Sequence, residues 1–117
     1  MGHHPIYEVN VIPFYPLIDE YADLYLNGHT HLLNHYSVNG KAKYITTGAG
    51  GMVSVASGTT VEHEEPNIAN VVSHTVVWTQ RVAGYTRHSI VSSNNTKQIK
   101  TEFVSWNGKV LYSFNTN

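Results

Sequence analysis

The chain has 117 residues, which is enough for one domain and too few for two. Seven Lys and Arg nearly balance eight Asp and Glu, the formal net charge is −1, and neither sign forms a run. The composition therefore predicts neither a nucleic-acid partner nor a membrane partner, and the absence of cysteine excludes disulfides, thiolate metal sites and a cysteine nucleophile.

The first part of the chain predicts a short helix and then a strand. Four side chains recur at the spacing of one helix face: Phe14, Leu17, Ile18 and Tyr21. This pattern predicts a helix over residues 13–21 that is buried on that face. Residues 22–28 alternate with period two and predict a strand. No earlier strand of this chain can pair with it in parallel, so we expect one of its edges to lack a neighbour.

The rest of the chain predicts mostly antiparallel β structure. The pairs Asn39-Gly40 and Asn107-Gly108 predict tight hairpin turns. The segments joined by these turns are residues 35–38 with 41–45, and 99–106 with 109–114. Residues 71–79 and 85–92 predict two further strands, and the Gly- and Ser-rich residues 47–60 predict a loop. The fold class is therefore α/β with a long β portion.

Eight histidines are an unusual number of the side chains that most often bind metals in proteins. His29 and His31 follow the predicted strand, and in extended backbone two such residues project to the same side. They can then bind one metal or two adjacent metals. His3 and His4 form a second pair near the amino end. Four others show no metal-ligand spacing and are predicted to be structural: His35, His63, His74 and His88.

Three motifs follow one another in an order that is specific for one known family. They are Gly2-His3-His4-Pro5-Ile6-Tyr7, Gly28-His29-Thr30-His31 and Thr46-Thr47-Gly48-Ala49-Gly50-Gly51. In this order they resemble the purple acid phosphatase-like metallophosphoesterases of the calcineurin-like superfamily, of the tartrate-resistant type. The resemblance implies an αββα sandwich, of which residues 1–117 are the C-terminal portion of a single domain and are mostly β.

The same resemblance implies a dinuclear centre of iron and a second divalent metal, which is zinc, manganese or iron. It implies that His3 and His29 bind the second metal and that His31 binds iron. His4 stands next to a predicted ligand, and it either binds substrate in the same pocket or packs around the metal site. Two adjacent metals hold a phosphate and turn bound water into hydroxide. The implied substrate is a phosphate monoester, and the implied location is secreted or vesicular.

Other motifs of the family are absent from the chain. It has no early Asp, no Gly-Asp-x-x-Tyr and no Gly-Asn-His-acid motif, which carry the bridging carboxylate, the tyrosinate and the amide ligand. Residues 8–12 also run almost directly into the predicted helix, without the family's substrate-binding His-Gly. We therefore expect an incomplete metal centre that needs the N-terminal half of the same domain.

Two functions stay open at this point. The chain is the C-terminal fragment of a dinuclear acid phosphatase and inactive alone, or it is a non-catalytic β-rich binding module or degenerate family member with vestigial histidines. A relative that cleaves phosphodiesters is a further alternative, against which the Gly-Ala-Gly-Gly motif and the terminal hairpin argue.

Overall fold

The computed structural model describes residues 1–8, 14–53 and 73–116, and most of them are in β-strands. The elements are a 3₁₀ turn at Ile6–Glu8, α1 at Tyr15–Tyr21, β1 at Tyr25–Asn27, β2 at Leu33–Val38, β3 at Lys41–Thr47, β4 at His74–Gln80, β5 at Gly84–Ser93, β6 at Thr96–Ser105 and β7 at Val110–Thr116. One sheet has the order β1-β3-β2-β4, and the other has the order β5-β6-β7. The predicted β-rich character is confirmed, and the αββα sandwich stays a prediction.

Tight turns with positive φ set the register of the antiparallel strands. Asn39 and Gly40 have φ values of 57° and 81° and join β2 to β3, and Gly108 with a φ of 88° lies between β6 and β7. Both predicted Asn-Gly hairpins are therefore confirmed. A third hairpin joins β5 to β6 through Asn94 and Asn95, which also have positive φ. Part of the predicted loop (residues 54–60) and the start of the predicted fourth strand (residues 71–72) lie outside the described residues.

The helix forms where its periodicity predicts it, but it buries little of the predicted face. Ile18 and Tyr15 pack against the sheet, whereas three of the predicted face residues are exposed: Phe14 by 43%, Leu17 by 56% and Tyr21 by 75%. The prediction of a buried Phe14–Leu17–Tyr21 face is therefore wrong. The Lys43 ammonium group fixes the end of the helix, because it donates to the carbonyl oxygens of Ile18, Asp19 and Ala22 at 3.1, 2.9 and 2.6 Å.

Strand β1 has parallel neighbours on both sides within this chain. It pairs along its length with β3, in the register Tyr25 to Tyr44. On its other edge the Gly2 amide donates to the Leu26 carbonyl at 2.9 Å, and the Gly28 amide donates to the His3 carbonyl at 3.0 Å. The prediction that one edge of this strand lacks a neighbour is therefore wrong at the positions that residues 2 and 3 cover. This contact brings the two histidine-containing motifs side by side.

The first sheet is covered on both faces. One face carries a core of Ile6, Tyr25, Tyr36, Val38 and Tyr44, against which α1 packs. The opposite face carries a core of Leu33, Ile45, Ala49 and Phe103, which joins it to the second sheet. Trp78 and Tyr112 stack across this interface with ring centroids 4.8 Å apart. Within the described ranges, no helix has the length and apolar character needed to cross a membrane.

Candidate metal centre

Buried hydroxyl groups fix the backbone of the first motif on the sheet. The Tyr25 hydroxyl donates to the His4 carbonyl at 2.8 Å, and the Ile6 amide donates to the Tyr36 hydroxyl at 3.3 Å. The Tyr36 hydroxyl in turn donates to Asn27 Oδ1 at 2.9 Å. Burial raises the pKa of both tyrosines, so both remain protonated donors at neutral pH. These hydrogen bonds therefore hold in place the backbone that carries His3 and His4.

A tight turn after β1 determines the position of His29. The Thr30 amide donates to the Gly28 carbonyl at 2.7 Å, and His29 between them has a φ of 63°. This is the left-handed region that few non-glycine residues adopt. The extended backbone expected across residues 29–31 is therefore absent, and the i, i+2 argument for a shared side does not apply. The turn instead directs His29 towards the first motif.

The imidazoles of His3, His4 and His29 form one cluster. His29 Nδ1 lies 3.3 Å from His3 Nε2, and the ring centroids of His4 and His29 are 4.4 Å apart. Each residue offers one ligand atom, and these atoms all lie within 4.8 Å of one another. His3 and His4 are exposed and His29 is half-buried, so the cluster is open to solvent on one side. His31 is exposed and lies outside the cluster, so its role as an iron ligand stays a prediction.

A carboxylate that the sequence analysis did not identify completes this cluster. Glu8 Oε1 lies 3.5 Å from His29 Nε2 and 3.7 Å from His4 Nδ1. Its side chain is only 13% exposed, because the 3₁₀ turn directs it back towards the histidines. The sequence offers one signal for this contact. Glu8 follows His4 by four residues, a spacing that brings the two side chains together where the chain turns.

The donor set fits one metal ion. A tetrahedral zinc site with Zn–N bonds of about 2.0–2.1 Å separates its ligand nitrogens by about 3.3 Å, which matches the distance between His29 Nδ1 and His3 Nε2. Neutral imidazole with carboxylate suits zinc and iron alike. Among the described residues, this is the one group of three or more His, Asp or Glu side chains that converges in this way. A second metal would need ligands beyond it.

Three of the four histidines predicted to be structural take part in packing. His35 is buried against Phe114 with ring centroids 3.7 Å apart, and His74 stacks on Tyr7 at 3.6 Å. His88 Nδ1 lies 2.9 Å from the Thr101 hydroxyl oxygen. His63 lies outside the described residues. Among the described residues, the structure brings together His3 and His4 of the first motif and His29 of the second.

Comparison with known proteins gives one partial similarity to an enzyme. No protein-family model matches the chain, and no solved structure matches it. Purple acid phosphatase 7 of Arabidopsis thaliana is 38% identical over 50 residues, which are 42% of this chain and 15% of that protein. The matched region is thus a small part of the relative's length. This similarity suggests the purple acid phosphatase family, in agreement with the three motifs.

Proposed function

We propose that this chain supplies histidine ligands to the dinuclear metal centre of a purple acid phosphatase-like enzyme that hydrolyses phosphate monoesters. The observation that supports this most directly is the pairing of His3 with His29. These residues are 26 positions apart in sequence, yet their ring nitrogens lie 3.3 Å apart. The partial similarity to a purple acid phosphatase supports the same function independently.

In this proposal His3 and His29 bind the second metal, and His31 binds iron. The second metal is zinc, manganese or iron. The bridging carboxylate, the tyrosinate and the amide ligand come from polypeptide outside these 117 residues. When bound, such a metal pair binds the phosphate oxygens and lowers the pKa of bound water.

The residues of this chain hold the site together and favour an anionic substrate. His3 and His29 are neutral ligands, so they leave the positive charge of the metals available to a phosphate dianion. His4 presents a ring N–H beside them and would donate a hydrogen bond to a phosphate oxygen or a proton to the leaving group. Glu8 Oε1 lies 3.5 Å from His29 Nε2 and would orient that ring when a metal is bound.

The proposal is tested with the longest natural polypeptide that contains this sequence. We expect it to hydrolyse para-nitrophenyl phosphate, with faster turnover on the acidic side of neutrality. Replacement of a metal-binding histidine should lower kcat by at least about 100-fold, so His29→Ala and His31→Ala should both be nearly inactive. His88→Ala is the control and should keep kcat, because the ring nitrogens of His88 lie 2.9 and 3.1 Å from the hydroxyl oxygens of Thr101 and Thr86 in the second sheet.

Two results would contradict the proposal. Parental activity in both His29→Ala and His31→Ala would exclude these residues as ligands of a catalytic centre. A folded, metal-loaded polypeptide without activity on any phosphate monoester would favour the non-catalytic module.

A further inference from the structure

The cluster contains the parts of a complete metal site that does not use His31. We propose that His3, His4 and His29 bind one divalent cation of the zinc class within this chain alone, with Glu8 as a positioning residue for His29. The site is mononuclear, and its third ligand is His4.

The two nitrogens of His29 have different neighbours, which assigns the metal to one of them. Nδ1 faces His3 Nε2 at 3.3 Å, whereas Nε2 faces Glu8 Oε1 at 3.5 Å. A metal-binding histidine commonly donates its other ring N–H to a carboxylate, which fixes both its orientation and its tautomer. The metal therefore lies on the Nδ1 side, between His29 and His3.

His4 can supply the third nitrogen with little rearrangement. Its Nδ1 lies 3.7 Å from the same Glu8 oxygen, which leaves Nε2 for the metal. Its ring centroid is 4.4 Å from that of His29 and 4.8 Å from that of His3. The side chain is 52% exposed, so a rotation of the ring to close the site displaces no packed neighbour. Three nitrogens leave the fourth tetrahedral position open to solvent.

The backbone beneath these four side chains is already fixed. The carbonyl of His4 accepts from Tyr25, and the carbonyl of His3 accepts from the Gly28 amide that precedes His29. Binding therefore orders side chains only, which favours measurable affinity in the isolated chain. The site shares His3 and His29 with the proposed function. In a dinuclear enzyme the additional ligands would replace His4 and release it towards the substrate.

The test is calorimetric titration of the 117-residue chain with Zn²⁺, with Co²⁺ absorption as a second readout of four-coordinate geometry. We expect one metal per chain. His4→Ala should weaken Zn²⁺ binding at least as much as His3→Ala, by more than about 10-fold, and Glu8→Gln should weaken it by about 10- to 100-fold. His31→Ala should leave the Kd unchanged within about twofold, and so should the distant control His88→Ala. Circular dichroism confirms that each variant is folded.

The alternatives give different results. If His31→Ala weakens Zn²⁺ binding as strongly as His29→Ala while His4→Ala does not, the inference is wrong and the phosphatase proposal stands. Absence of Zn²⁺ binding by the folded chain also overturns the inference. An inactive longer polypeptide whose Zn²⁺ affinity still depends on His4 overturns the phosphatase proposal and leaves this site in place.

Discussion

His35 on β2 links the two sheets through Nδ1, while its Nε2 bonds within the first sheet. Nε2 lies 2.8 Å from the Ala42 carbonyl oxygen and must donate to it, so in the neutral ring Nδ1 accepts from the Tyr112 hydroxyl at 2.8 Å. The ring also stacks on Phe114 in the second sheet. Burial lowers the pKa of His35 below its ordinary value of 6.5, although the hydrogen bond to Ala42 acts in the opposite direction. The folded chain therefore favours neutral His35.

The lowered pKa of His35 predicts that the folded chain loses stability in mild acid. Because the folded state has the lower pKa, the unfolded chain binds the proton first as the pH falls. The contribution of His35 to the free energy of unfolding is complete above about pH 6.5. It declines as the pH falls below that value, towards the pKa of His35 in the folded chain. We expect Tm to fall between about pH 7.5 and about pH 5.5, as measured by circular dichroism. At the higher pH, His35→Phe should be less stable than the parent chain by about 1–3 kcal/mol, because the Ala42 carbonyl and the Tyr112 hydroxyl lose their hydrogen-bond partner. The Tm of this variant should also depend less on pH.

A second histidine serves as the comparison for this measurement. Burial also lowers the pKa of His88, so His88→Phe measures its separate share of the pH dependence. If the Tm of His35→Phe falls with pH as steeply as the Tm of the parent chain, His35 does not cause the acid sensitivity.

At the level of elements, the loop after β3 supports the loop that carries His29 and His31. A side chain at Gly48 would overlap the carbonyl oxygen of Thr30 and approach the Thr30 carbonyl carbon at 3.0 Å. The Gly48 amide also donates to the Leu32 carbonyl at 3.2 Å. The close approach of these two loops therefore requires glycine at this position. It gives the first glycine of the Gly-Ala-Gly-Gly motif a structural reason.

We predict that Gly48→Ala lowers both stability and Zn²⁺ affinity. The added methyl group must displace residues 28–30, at a cost of about 1–3 kcal/mol in the free energy of unfolding, and this shift moves His29 relative to His3. Gly50→Ala is the matched control in the same loop, because a Cβ there meets nothing within 4 Å. Urea denaturation and zinc titration of both variants check this. Equal behaviour of the two variants would contradict the role of Gly48.

The elements differ in how far the sequence predicts them. Asn39-Gly40 and Asn107-Gly108 determine their hairpins locally, because Asn39, Gly40 and Gly108 adopt positive φ at low cost. The parallel pairing of β1 with β3 depends instead on contacts far apart in the chain, which period-two alternation does not encode. Burial of the helix face also depends on which element covers it. The helix was correctly located, but its exposed face could not be predicted from spacing alone.

The same distinction holds for the candidate site. The motifs predicted that His3 and His29 meet, but the contribution of Glu8 arises from a turn whose direction depends on the buried Ile6. The position of His29 depends on a left-handed φ of 63°, which no residue pattern indicated. Sequence motifs therefore identified the segments that form the histidine cluster, whereas the geometry of the cluster depends on backbone conformation and tertiary packing.

For the molecule as a whole, apolar surface is exposed at several separate places. Leu17 on α1 is 56% exposed, Val77 on β4 is 49% exposed and Ile90 on β5 is 68% exposed. Strands β4 and β5 each lie at one end of their sheet, with no further strand beside them in the described part of the chain. An exposed apolar side chain on an edge strand favours pairing with another chain.

We therefore predict that the 117-residue chain self-associates. Size-exclusion chromatography with light scattering should show oligomers whose fraction grows with protein concentration. The double variant Val77→Lys with Ile90→Lys should shift the chain towards monomer while keeping its Tm, because both side chains are exposed on edge strands and the added charge opposes edge pairing. Ser89→Lys adds one charge to β5 without removing an apolar group, so it measures the effect of charge alone and should shift the chain towards monomer by less than the double variant does. A parent chain that stays monomeric at all concentrations and unfolds in one cooperative transition would show that these surfaces are compatible with a free-standing domain.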